Sequence, residues 1–172
     1  MSEECVIAVY DSLESAQRGV HILDRGDFPS KQVSLIIKGQ KEHPEGMEEL
    51  KMDDDATHDA AVGAGLGAVV GILTGIVVSV ITGLGTIFLL GPIGGGILGA
   101  TTGAFLAGLS GWGVHEEHIH HYQKLIREGK VLVIAHGNPL EVVNADRILK
   151  ETDPEEIHIY AKTSSEAPEL EN

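Results

Sequence analysis

Four of the nine histidines fall within seven residues: His115, His118, His120 and His121, interleaved with Glu116 and Glu117 and followed by Tyr122. Imidazole and carboxylate are donors that divalent transition metals accept, and imidazole also titrates near neutrality. On a helix, Glu117 stands three residues before His120 and four before His121, so either pair shares a face. Glu-x-x-His is the pair that di-iron carboxylate bundles use. Glu117, His118, His120 and His121 are therefore the candidate ligands of a divalent metal. One helix offers only a two- or three-ligand half-site. Completion would need a neighbouring copy, or His136, His158 or the acids Asp53-Asp54-Asp55. The alternative is a plain amphipathic helix start, in which Glu116 and Glu117 complement the helix dipole. The dipole also accounts for Asp53 to Asp55, as acids preceding a helix. No nucleophile–base pair stands out, and the many glycines lack the Lys-Ser/Thr of a phosphate loop. No catalytic residue is assigned. The chain reads as non-enzymatic, with an oxidoreductase using the histidine cluster as the alternative.

The 172 residues carry 12 basic and 26 acidic side chains, a net charge of −14. So acidic a surface disfavours nucleic acid, which needs a basic footprint. A single cysteine excludes an intrachain disulfide framework. The charges are unevenly placed. From Ala60 to Val114, 55 consecutive residues contain no Asp, Glu, Lys, Arg or His, and 16 of the 22 glycines lie there. The start, Met1-Ser2-Glu3-Glu4, is acidic and reads as no secretory signal.

Outside this block the pattern is β-α-β, then β-α-β. Residues 5–10 and 32–37 read as strands around a helix with Leu13, Ala16, Val20 and Leu23 on one face, ended by Gly26 and Pro29. After the block, residues 115–130 form a connecting His-rich helix with Ile119, Tyr122 and Ile126 inward. Residues 131–136 and 156–161 are strands around a helix opened by Asn138 and Pro139, with Leu140, Val143, Ala145, Ile148 and Leu149 on its apolar side. The fold class is thus α+β: a ferredoxin-like sandwich with an inserted glycine-zipper helical hairpin. Its halves are residues 1–39 and 131–162, with an acidic linker at 40–59, the hairpin at 60–114 and a disordered acidic tail at 163–172.

Within the block, Gly63, Gly67, Gly71 and Gly75 recur every fourth residue, and Ser79 and Gly83 continue the series. A second series runs Gly95, Gly99, Gly103, Ala107, Gly111. Such stripes let helix backbones approach closely in lipid. Legs at Ala60–Ile81 and Pro92–Gly113 would each span about 33 Å, close to a bilayer core. The turn then falls within Thr82–Gly91, and Trp112 suits the headgroup region. Lys51, Lys124, Arg127 and Lys130 flank the other ends, which places the soluble domain and both termini in the cytoplasm. A buried hairpin in a soluble assembly is the alternative.

Tyr10, the helix Leu13–Asp24, Gly26-Asp27-Phe28-Pro29 and Val33-Ser34-Leu35-Ile36, then the glycine-zipper insertion, His121-Tyr122 and Arg127-Glu128-Gly129-Lys130-Val131-Leu132-Val133, resemble the bacterial general stress protein (YflT-like) family and related membrane proteins of unknown function. The resemblance covers about residues 5–161. It implies a stress-associated membrane or assembly protein with no established enzymatic activity and no catalytic residues to carry over. The expected function is an integral protein of the cytoplasmic membrane that oligomerises through its zippers, with the lipid bilayer and copies of itself as partners. The alternatives are a channel or permeability factor gated by the soluble domain, a metal-binding or redox protein, and a soluble self-assembling scaffold.

Overall fold

A computed structural model describes residues 4–38, 77–82, 85–90 and 109–161. The linker at 40–59, the tail at 163–172 and the stripe positions Gly63, Gly67, Gly71, Gly75, Gly95, Gly99 and Gly103 lie outside them. In chain order the elements are β1 (Glu4–Tyr10), α1 (Leu13–Arg25), a short 3-10 turn (Ser30–Gln32), β2 (Val33–Lys38), β3 (Val77–Thr82), β4 (Gly85–Leu90), α2 (Glu116–Arg127), β5 (Val131–Gly137), α3 (Pro139–Lys150) and β6 (Glu156–Tyr160). The architecture is mixed α+β. All the described strands join one sheet in the order β3-β4-β2-β5-β1-β6, and every neighbouring pair is antiparallel.

Local chemistry explains the elements flanking the block. Ser12 caps α1 by accepting from the Ser15 amide. Asn138 and Glu141 form a reciprocal capping box at the start of α3, with Pro139 at the first helical position. Gly26 does not itself break α1 with a left-handed turn. It is the C-cap, and Asp27 takes the positive φ of 56°, after which the Phe28 amide bonds back to the Leu23 carbonyl. Side chains alternate along the strands, and β1 and β5 are apolar on both faces. One face packs Val6, Ala8, Tyr10, Val133 and Ala135 against α1 and α3. On α3 the buried residues are Val142, Ala145, Ile148 and Leu149. Leu140 and Val143, expected on the apolar side, are exposed instead. The inward stripe is set by Val142, and Leu140 and Val143 are rotated off it.

The opposite face is equally apolar. Cys5, Ile7, Val9, Ile36, Leu132 and Ile134 pack beneath Tyr122 and Ile126 of α2, together with Leu109 and Val114. Lys38, at the end of β2, donates to the Arg127 carbonyl at the C-terminus of α2 (2.8 Å), where a cation complements the dipole. The sheet is therefore a middle layer between two helical layers.

The uncharged block departs most from expectation. Residues 77–81, expected to end a helical leg, lie in β3, and 85–90, expected in the turn, form β4. Four-residue spacing marked Ser79 as a stripe position, yet Val77, Val78, Val80, Ile81 and Thr82 are β-branched and favour a pleated strand. β4 pairs with β2 (Ile36 opposite Leu89), and Ile87 and Leu89 are fully buried in the second core. Residues 109–114, where the second leg was expected to end, pack on the domain. The Val114 amide reaches the Leu109 carbonyl and the Gly113 amide the Ser110 carbonyl, with Gly113 at φ 89°. This is a Schellman stop, and its apolar clasp joins Leu109 and Val114. Gly111 lies in that final turn. Trp112, expected at lipid headgroups, stacks on His136 at 4.4 Å and 13°. Among the described residues no helix is long and apolar enough to cross a membrane.

If β4 belongs to this core, Leu89→Ala should destabilise the domain by about 2–5 kcal/mol, the usual range for a buried leucine. Chemical denaturation of the full-length protein measures this. An unchanged midpoint would remove β4 from the core.

Candidate functional site

The second face of the sheet carries its residues in rows across the strands. Leu89, Ile36, Leu132, Val9 and Glu156 form one row; Ser34, Ile134, Ile7 and His158 the next; His136, Cys5 and Tyr160 the third. Polar chemistry thus gathers along β6, whose Glu156, His158 and Tyr160 are two residues apart and share the face on which α2 lies. The helix arises where expected, with His115 as a cap residue lacking a side-chain cap bond and Glu116 and Glu117 in the first turn. Tyr122 and Ile126 are buried and Ile119 is partly so, which presents His118 and His121 to β6.

The histidine cluster divides three ways. His120 turns outward, with Nε2 3.9 Å from Glu116 Oε1 and Nδ1 3.2 Å from Gln123 Oε1. Glu117 sits beside His118, Oε1 to Nε2 3.6 Å. His121 leaves the helix face altogether and pairs with Glu156 of β6, Nε2 to Oε2 2.8 Å. The expected Glu117–His121 and Glu117–His120 pairs are therefore absent from these contacts. The chain brings Glu156 to His121 from 35 residues away, a pairing that helical spacing within 115–122 could not indicate. His158 Nε2 lies 3.9 Å from the same Glu156 oxygen. Among the described residues no three His, Cys, Asp or Glu side chains already stand as a metal-holding group.

Beneath this rim lies a buried aromatic pair. The Tyr122 and Tyr160 hydroxyls are 2.7 Å apart, their rings edge to face at 6.2 Å, and His118 leans on Tyr160 at 5.2 Å. On the other side of the sheet, the Thr152 hydroxyl donates to the Leu149 carbonyl. Its proton is thus committed, so the Tyr10 hydroxyl donates to Thr152 Oγ1 (2.7 Å). Burial pushes the Cys5 thiol from 9.0 up to about 12, with the Glu4 charge adding to the effect. Burial likewise raises Tyr122, reinforced by its bond to Tyr160. It raises Tyr160 and Tyr10, against partial opposition from their hydroxyl partners. Cys5 is thus a protonated core thiol rather than a nucleophile.

Comparison with family models, with curated proteins and with solved structures yields no match, so the likeness to general stress proteins rests on the residues quoted above.

Two outcomes follow from the buried hydroxyls and thiol. Tyr122→Phe should cost about 1–3 kcal/mol by stranding the Tyr160 hydroxyl, and Tyr122→Phe with Tyr160→Phe less than the sum of the single losses. Denaturation of the three variants, read as a double-mutant cycle, checks this. The unfolded chain releases the Cys5 proton near pH 9, whereas the folded chain holds it to about 12. The raised tyrosines act in the same sense at higher pH. Stability should therefore be unaffected by these groups below about pH 9 and fall steadily above it. Melting temperatures across pH 7 to 11 measure this trend, and a flat profile would contradict the burial of these groups.

Proposed function

We propose that this chain is a non-enzymatic, stress-associated assembly protein with a ferredoxin-like domain. It attaches to a membrane and to copies of itself through its glycine-rich apolar segments, without crossing the bilayer. The domain assignment is supported by the strand order β2-β5-β1-β6, with α1 and α3 packed on one face. The attachment is supported by an uncharged run that ordinary soluble helices do not carry.

The observation that carries the reading is the pairing of β4 with β2. It ties the middle of the uncharged block to the domain. Residues 60–76 run from the acidic connection after Lys38 to Val77, and residues 91–108 run from Leu90 to Leu109. Lys38, Val77, Leu90 and Leu109 all belong to one domain, so the chain between Lys38 and Val77, and between Leu90 and Leu109, would cross a bilayer an even number of times. The stretches hold 17 and 18 residues, and as helices they reach about 25–27 Å. Two crossings need about 40 residues. Attachment from one side satisfies both the lengths and the apolar composition.

Full-length protein mixed with phosphatidylcholine vesicles should float with them. In intact cells, Gly85→Cys should resist a membrane-impermeant maleimide and react only after lysis, with buried Cys5 giving little background. Failure to float would end the membrane reading. Labelling from outside intact cells would restore a spanning hairpin with its turn across the membrane.

A further inference from the structure

We propose that His121, Glu156 and His158, with His118 as a fourth donor, form a surface site for a divalent transition metal such as Zn2+. The site would staple α2 to the edge strand β6. Two residues apart on a strand, Glu156 and His158 project from the same face. That face is the one bearing α2, because their register partners Val9 and Ile7 lie in the core beneath it. His121 comes down from the helix to within 2.8 Å of Glu156 Oε2. Ligands on a tetrahedral zinc with bonds of about 2.0–2.1 Å stand about 3.3–3.4 Å apart, so this hydrogen-bonded nitrogen and oxygen need to part by only about half an ångström to admit the ion in place of the shared proton. His158 Nε2 is 3.9 Å from the same oxygen, and its side chain is 57% exposed, so a small rotation brings it to the shared position without disturbing the core. His118 precedes His121 by one helical turn and lies against Tyr160, the next residue along this face of β6. Imidazole with a carboxylate is the donor set that suits zinc and its neighbours.

The donors come from α2 and β6, so the metal would clamp the helix that leads out of the apolar block onto the sheet. It would bind the folded chain and not the unfolded one. The ligand set differs from the sequence expectation: Glu117 and His120 drop out, Glu156 enters, and of the residues named to complete the half-site His158 is the one within reach. The inference stands apart from the membrane reading, whose vesicle assay has a separate outcome.

Full-length protein titrated calorimetrically with zinc chloride tests it. Wild type should bind one Zn2+ per chain at this site, and the addition should raise the melting temperature. Glu156→Gln with His158→Gln should weaken binding at least about tenfold, the equivalent of about 1.4 kcal/mol, and remove the thermal shift. Glu117→Gln with His120→Gln should leave both unchanged. In wild-type NMR spectra, substoichiometric Zn2+ should move the His121 and His158 imidazole signals first, a readout that needs no variant. Binding that survives the Glu156/His158 change, or is lost with the Glu117/His120 change, would overturn the site. So would zinc that moves other histidines first.

Discussion

The structure depends on a single constraint: the central strands β1 and β5 are apolar on both faces. A sheet built on such strands cannot leave one face in water. Six residues of β1, from Cys5 to Tyr10, are buried, and each large apolar side chain removed from solvent contributes about 1.5–3 kcal/mol. α1 and α3 cover one face. The other must find its cover elsewhere, and the chain supplies it from the end of the uncharged block, around Leu109 to Val114, and from the helix α2 that follows it. The insertion therefore does more than interrupt a β-α-β repeat. Its middle widens the sheet through β3 and β4, and its end roofs the second core.

That arrangement also explains the polar rim. β6 is an edge strand, and its last rows meet the outer margin of α2, where cover gives way to solvent. Apolar side chains fill the centre of each row, and Glu156, His158 and Tyr160 fill the edge. The Tyr122–Tyr160 bond lies at the boundary, where two hydroxyls each need a partner and find it in the other. Outside it, His121 and Glu156 meet in partial exposure. The rim holds ionisable chemistry because charge there is not fully desolvated.

Much of the fold was legible from local pattern. β1, β2, β5 and β6, the face of α1 and the cap at Asn138 follow from short apolar runs, helical spacing and turn chemistry. Ile119, Tyr122 and Ile126 were readable as the inner side of α2. The failures share a cause. In 77–81, glycine spacing suggested the end of a helical leg, with its turn over 82–91, whereas the β-branched run Val77-Val78-Ser79-Val80-Ile81-Thr82 favoured a strand, and sheet pairing decided between them. Leu140 and Val143 are apolar residues that the packing does not use. At the site, the histidines were visible but Glu156 was not, because its approach to His121 is set by sheet register rather than by sequence distance. The buried Tyr122–Tyr160 pair was hidden for the same reason.

The position of β5 has a consequence for how the chain assembles as it is made. β5 lies between β1 and β2, although both precede it by more than ninety residues. β1 emerges first yet can gain neither neighbour until β5 and then β6 appear, whereas β3 and β4 adjoin in sequence and can pair at once. Sheet closure therefore waits on late, non-local contacts, which form slowly. Until then a strand apolar on both faces, followed by an uncharged run, stands open to other molecules. For a chain so built, the hazardous interval is the synthesis of its own insertion.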